Sequence, residues 1–135
     1  MKRYVNTALF YAVMAMAGGV FYREFTKFSG FTGETVLSVV HTHYFVLGTA
    51  FFLLLLLLKK NFQFDERKTG RVLTVYQAGL NLTCVMFLTR GVLQVVGTQL
   101  SAAADASISG IAGVGHILLG IGIVLTLLQI RNAVK

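Results

Sequence analysis

The sequence contains no proline and no tryptophan, a single cysteine, and only five Asp and Glu in 135 residues. Without proline, helices lose the commonest cause of a sharp kink. One cysteine, Cys84, excludes an internal disulfide, so the chain carries no mark of an oxidising compartment. The scarcity of charge is more informative. Charged residues make up 13% of the chain and hydrophobic residues 56%, whereas an ordinary soluble domain is about 25% charged and about 45–50% apolar. So little polar surface excludes a disordered chain and is too small to coat a globule of this length. The net charge of +7 does not rescue a nucleic-acid binder, because in an apolar chain a basic excess reports how the chain sits in a membrane.

What the sequence does hold is four long apolar runs, at about Tyr4–Tyr22, Thr35–Leu58, Val72–Gly97 and Ser107–Ile130. Each is roughly 19–26 residues, enough to cross about 30 Å of hydrocarbon at about 1.5 Å per residue. A bilayer leaves backbone groups nothing to bond with, so each run is expected to be a helix. The length allows one domain, and the short loops predict an antiparallel bundle of four transmembrane helices. Lys2 and Arg3 before Ala15-Met16-Ala17 imitate a signal peptide, but the apolar stretch runs on to Tyr22 and reads as a span.

Basic residues give orientation. With the N-terminus inside, nine of the twelve Lys and Arg fall on cytoplasmic segments: Lys2, Arg3, Lys59, Lys60, Arg67, Lys68, Arg71, Arg131 and Lys135. Arg23 and Lys27 fall outside and Arg90 falls within the third span. The bias predicts both termini in the cytoplasm. The loop Lys59–Arg71 is expected to be a solvated turn that also meets anionic lipid.

Small residues at helical spacing mark packing faces: Ala8, Ala12, Ala15 and Gly19 in the first span, and Ser109, Gly113, His116 and Gly120 in the fourth. This stripe predicts that His116 points into protein. Tyr76, Gly79, Thr83, Met86, Arg90, Gln94 and Gly97 form a polar stripe on the third span, which should face partner helices or a cavity. Cys84 reads as a small buried hydrophobe.

His41, His43, Arg90 and His116 are the ionisable residues inside the spans, and such residues are costly in hydrocarbon and default candidates for function. All four are expected in the outer half or near the middle. His41 and His43, two apart, point about 200° apart on a helix. They cannot readily chelate one ion together, since chelating pairs on a helix use four-residue spacing. Two imidazoles on opposite faces suit haem iron, which asks each face for one axial nitrogen and a flat apolar slot. Tyr44, Phe45, Gly48, Phe51 and Phe52 are the expected slot lining, and Arg90 a partner for the propionates. The competing expectation is that the histidines bond neighbouring helices and that Arg90 pairs with Glu24, Glu34 or Asp105.

The runs Gly18-Gly-Val-Phe-Tyr-Arg-Glu-Phe25, His41-Thr-His43 and Ser109-Gly-Ile-Ala-Gly-Val-Gly-His116 resemble a family of small four-helix bacterial membrane proteins of unknown function. His41-Thr42-His43, on the second of four helices, is also similar to the His-x-His pair of the haem–copper oxidase catalytic subunit, which has three arcs of four helices. That resemblance implies a homotrimer restoring twelve helices in the bacterial inner membrane. It also implies haem b with His41 and His43 as iron ligands, and an Arg90 similar in role to the oxidase's propionate-binding arginines. His116 is a further candidate ligand. The oxidase's copper-site histidine pair and cross-linked tyrosine have no counterpart here. The function expected is electron transfer, haem handling or binding of a diatomic gas, with a redox partner or quinone. The rival expectations are a small transporter or channel, favoured by the polar stripe, and an accessory subunit of a respiratory complex. No residue is assigned a catalytic role.

Overall fold

A computed structural model describes residues 1–63 and 65–134. Lys135, counted above with the C-terminal basic residues, lies outside the described residues. Four helices follow one another: α1 (Lys2–Phe28), α2 (Leu37–Asn61), α3 (Glu66–Val96) and α4 (Ala102–Ala133), each long and apolar enough to cross a membrane. Among the described residues there is no strand.

At their starts α3 and α4 overrun the apolar runs, because caps rather than hydropathy set those ends. Asp65 precedes α3 and its carboxylate accepts from the amides of Arg67 and Lys68, at 3.0 and 3.1 Å. Ser101 does the same for α4, accepting from Ala104 N at 3.2 Å. Both satisfy amides that a helix start leaves without partners. Gly97, at φ 74°, closes α3 in the left-handed conformation that glycine adopts without strain.

In chain order, each helix packs on the next, α1 along α2, α2 on α3 and α3 on α4, and the closest association is that of α3 with α4. The α1–α2 contact uses the predicted small-residue stripe: Ala8 and Ala15 are buried, and the Thr49 hydroxyl donates to Ala8 O at 3.3 Å. Around them lies an aromatic core. Tyr11 stacks on Tyr44 and Phe52, with ring centres 5.6 and 5.9 Å apart, and Phe51 stacks on Tyr76 at 4.2 Å.

The α3–α4 seam is built on glycine. A Cβ on Gly79 would meet the backbone of Leu119, Gly115 and Leu118, one on Gly115 would lie 2.6 Å from Thr83 Oγ1, and one on Gly122 would lie 2.7 Å from Tyr76 Cβ. Apolar side chains gain nothing by leaving lipid for protein, so close backbone approach and its dispersion contacts are what hold such helices together.

The small-residue stripe expected to pack on α4 is not the one that does. Gly115, Leu119, Gly122 and Thr126 are buried against α3, while Gly113 and Gly120 have open space where a side chain would be. Two sets of small residues at similar spacing lie on this helix. Thr83 and Tyr76 of α3 fit the glycines of the set that begins at Gly115. His116, one residue from that set, therefore turns out of the single chain and is exposed, contrary to the inward orientation its stripe predicts.

Helix α2 is not uniform. It is α-helical to His43, widens to a π-helical stretch over Tyr44–Ala50, and resumes as α to Asn61. Within the wide stretch the Tyr76 hydroxyl donates to Leu47 O, and Gly48 lets Tyr11 approach so closely that a Cβ there would lie 2.5 Å from Tyr11 Cβ. Single-turn π segments are rare and recur at functional sites.

Candidate functional site

The three histidines sort into two environments. His41 faces α1: its Cβ and Cγ lie 3.6 and 3.7 Å from where a Cβ of Gly19 would be. Its Nδ1 is buried and bonded to nothing. His43 turns the other way, toward α3 and α4, as the two-residue spacing requires. Its ring meets Phe87 edge-on at 5.0 Å and His116 at 6.5 Å. Phe87 also meets His116, at 5.6 Å. One ring from each of α2, α3 and α4 thus meets on one face of the molecule, just before the π-helical stretch begins.

His43 and His116 share a hydrogen-bonding state. Each Nδ1 lies 2.8 Å from the carbonyl oxygen four residues earlier, of Val39 and Ala112 respectively. A carbonyl only accepts, so each Nδ1 carries the proton and each Nε2 is left as a bare acceptor. This second bond is the one that orients a metal-ligating histidine and fixes its tautomer. It also leaves the two imidazoles unable to bond each other, since neither has a second donor while neutral. The pair can be satisfied only by an electrophile: a proton, a metal centre or a donor from elsewhere. His41 lacks the second bond, so its tautomer is not fixed in this way.

Arg90 is engaged elsewhere. Its Nη2 lies 2.8 Å from Asp105 Oδ1, 3.2 Å from Asp105 O and 2.7 Å from Ser109 Oγ, which fastens α3 to the first turns of α4. The structure therefore pairs it with Asp105, one of the three carboxylates named as competitors to a propionate. Elsewhere on the polar stripe of α3, Gln94 Oε1 accepts from Val36 N at 2.9 Å. The Thr35 hydroxyl donates to Gly91 O at 3.0 Å. The stripe faces partner helices, and its groups tie α3 to both neighbours.

The aromatic residues expected to line a slot form the core instead. Tyr44, Gly48 and Phe52 are buried and packed around Tyr11, with Asn81 joining the two tyrosines: its Nδ2 donates to Tyr11 OH at 3.1 Å, and its Oδ1 accepts from Tyr44 OH at 3.4 Å. Only Phe45 points outward, 41% exposed. Cys84 is buried beside this group. Sequence reasoning missed Phe87 and the core role of Tyr11, neither of which carries a polar or periodic signal of its own.

The donor set would suit an iron centre, because each histidine, with its Nδ1 anchored, could offer its free Nε2 as a ligand. The space between them does not suit a macrocycle, since Phe87 stands within 5.0 Å of one ring and 5.6 Å of the other. On the outward side of α4, Gly113 and Gly120 have nothing within 4 Å of where a side chain would be, which leaves the helix surface open on both sides of His116. Among the described residues no cluster of three or more His, Cys, Asp or Glu could hold a bare metal ion.

Residues 1–133 match the model of a family described as Protein of unknown function (DUF2871), and the chain belongs to that family. No curated protein and no solved structure matches the chain.

Proposed function

We propose that this is a haem-b protein of the bacterial inner membrane, acting in electron transfer, with both termini in the cytoplasm. The observation that carries the reading is the shared state of His43 and His116: Nδ1 committed to a backbone carbonyl, Nε2 free, at one level of the bundle. The reading keeps His43 from the expected pair and takes His116 beside it, since the His41 ring lies against α1. When bound, haem supplies one-electron chemistry. The chain's own residues orient the imidazoles through Val39 O and Ala112 O and offer a glycine-flanked surface at His116 for a flat ring. Arg90, held by Asp105 and Ser109, keeps α4 in place and is a propionate partner only if that clamp opens.

The outward position of His116 favours assembly of several copies, because an ionisable side chain facing hydrocarbon is costly. A homotrimer is the assembly proposed. Orientation follows from the basic residues, which cluster on the segments that join the termini end of the bundle.

The test is an absorption spectrum of the protein purified in mild detergent after expression with added haem, recorded oxidised and then dithionite-reduced. A Soret band that shifts on reduction is expected, altered by His43→Ala and by His116→Ala and unchanged by His41→Ala. Absence of a Soret band would overturn the haem reading. A spectrum unchanged by both variants would remove the two histidines as ligands. A monomeric mass would remove the trimer alone.

A further inference from the structure

At the end of the bundle that holds the termini, the first turn of α1, the last of α2 and the first turns of α3 enclose a cavity of about 90 Å³. That is about three times a water molecule's share of liquid volume, near 30 Å³. Arg3, Thr7, Lys59, Glu66, Gly70 and Gln77 contribute to its walls. The Lys59 side chain is only 15% exposed and its ammonium pairs with Glu66, while also lying 5.4 Å from the centre of the Tyr4 ring. Arg3 has no carboxylate partner among the described residues. Its Nη1 rests against Gly70, 3.5 Å from where a Cβ would be.

The wall holds more donors than it spends. Gln77 gives one N–H to Leu73 O at 3.1 Å, leaving the other, and the Thr7 hydroxyl gives its proton to Arg3 O at 2.9 Å. The guanidinium fork of Arg3 and two of the three N–H groups of Lys59 have no acceptor within the wall beyond Glu66. The cations of Arg3, itself exposed, and Lys59, with Met1 also in the wall, face the one carboxylate of Glu66, which leaves an excess of positive charge at the recess. A planar, always-charged fork beside an ammonium is the arrangement that recognises a tetrahedral oxyanion. The level matters too, because a helix end in a membrane meets the phosphates of the lipid headgroups there, and in the cytoplasmic leaflet these are often anionic.

We infer that Arg3 and Lys59 form a binding site for a phosphate group, supplied by an anionic phospholipid headgroup or by free phosphate. The site does not depend on the haem reading. It goes beyond diffuse attraction of a basic loop, because it assigns the contact to a recess on α1 and α2 and excludes the neighbouring Lys60, which is exposed outside it.

The experiment is native mass spectrometry of the detergent-purified full chain mixed with phosphatidylglycerol or phosphatidylcholine, for wild type, Arg3→Gln, Arg3→Lys and Lys60→Gln, each checked for helicity by circular dichroism. Retention of phosphatidylglycerol over phosphatidylcholine is expected. It should fall about fivefold in Arg3→Gln, the loss expected for one basic side chain near an anionic headgroup, fall less in Arg3→Lys, and hold in Lys60→Gln. Should Arg3→Gln lose helicity, Gln77→Leu is the substitute, with a smaller loss expected. Inorganic phosphate at millimolar concentration separates the sources. If it shifts the thermal midpoint in detergent in an Arg3-dependent way while neither lipid is preferred, the site takes the free anion. Equal losses in Arg3→Gln and Lys60→Gln, or no Arg3-dependent binding of either lipid or phosphate, would overturn the inference.

Discussion

The α3–α4 seam makes a sharp prediction, because two helical glycines, one on each of these helices, differ in what lies opposite. Consider Gly79→Ala in α3 against Gly113→Ala in α4. The added methyl on Gly79 would fall 2.8 Å from Gly115 O and 2.9 Å from the carbonyl carbon of Leu118. Carbon atoms pack best at about 3.5–4.0 Å. These neighbours are backbone atoms, with no rotamer to turn, so the helices must separate by several tenths of an ångström to about 1 Å. A gap of about 0.5–1 Å already forfeits a quarter to a half of a dispersion contact, and the loss extends to Gly115 against Thr83 and Gly122 against Tyr76. Overpacking of this kind costs about 1–3 kcal/mol. Replacing glycine by alanine within a helix returns about 1 kcal/mol through propensity, so the net loss expected for Gly79→Ala is about 0–2 kcal/mol. At Gly113 nothing lies within 4 Å, so that change should be neutral or stabilising by up to about 1 kcal/mol. Reversible unfolding of the two variants in mixed micelles, followed by circular dichroism, measures both. Equal effects, or a larger loss at Gly113, would show that α4 packs on α3 through its other face and refute the seam.

Three further outcomes follow from named contacts. Tyr76→Phe should destabilise the fold by about 1–3 kcal/mol, because it leaves the Leu47 carbonyl of the π-helical stretch without a partner away from water; micelle unfolding reads the loss, and no loss would mean the carbonyl is satisfied within the helix. Asp105→Asn should weaken the Arg90 clamp and raise amide hydrogen exchange in the first two turns of α4 while leaving α1 and α2 unchanged. At the start of α3, the Asp65 carboxyl is held below its ordinary value of 3.8, chiefly by the amide of Lys68 and also by that of Arg67. A depressed pKa means that the cap stabilises the helix start above about pH 3.8 and is lost as pH falls through the folded value. Protection of the Arg67 and Lys68 amides, taken relative to the intrinsic exchange rate at each pH, should therefore fall under acid, and Asp65→Ala should lower it at neutral pH as well.

The sequence made the spans legible because hydrocarbon imposes a length and a composition that a count detects. It made the opposed directions of His41 and His43 legible because a two-residue step on a helix fixes the angle between side chains. What it could not show was which of two glycine faces on α4 meets α3. Both have the spacing of a packing stripe, and only the shapes of Tyr76 and Thr83 on the facing helix choose between them. That choice decides the site. Gly115 inward places His116 outward beside His43, and the local bond from Nδ1 to a carbonyl four residues back, which spacing alone does not announce, leaves both Nε2 atoms without a donor. The same geometry explains why the aromatic run after His43 fails as a slot. Once α2 widens at Tyr44, Gly48 admits Tyr11, and the rings that were free to line a cavity are used to close the contact between α1 and α2. The outward face of α4 is thus where His116, touched only along one side by Phe87 and His43, stands between two glycines with open space beside them.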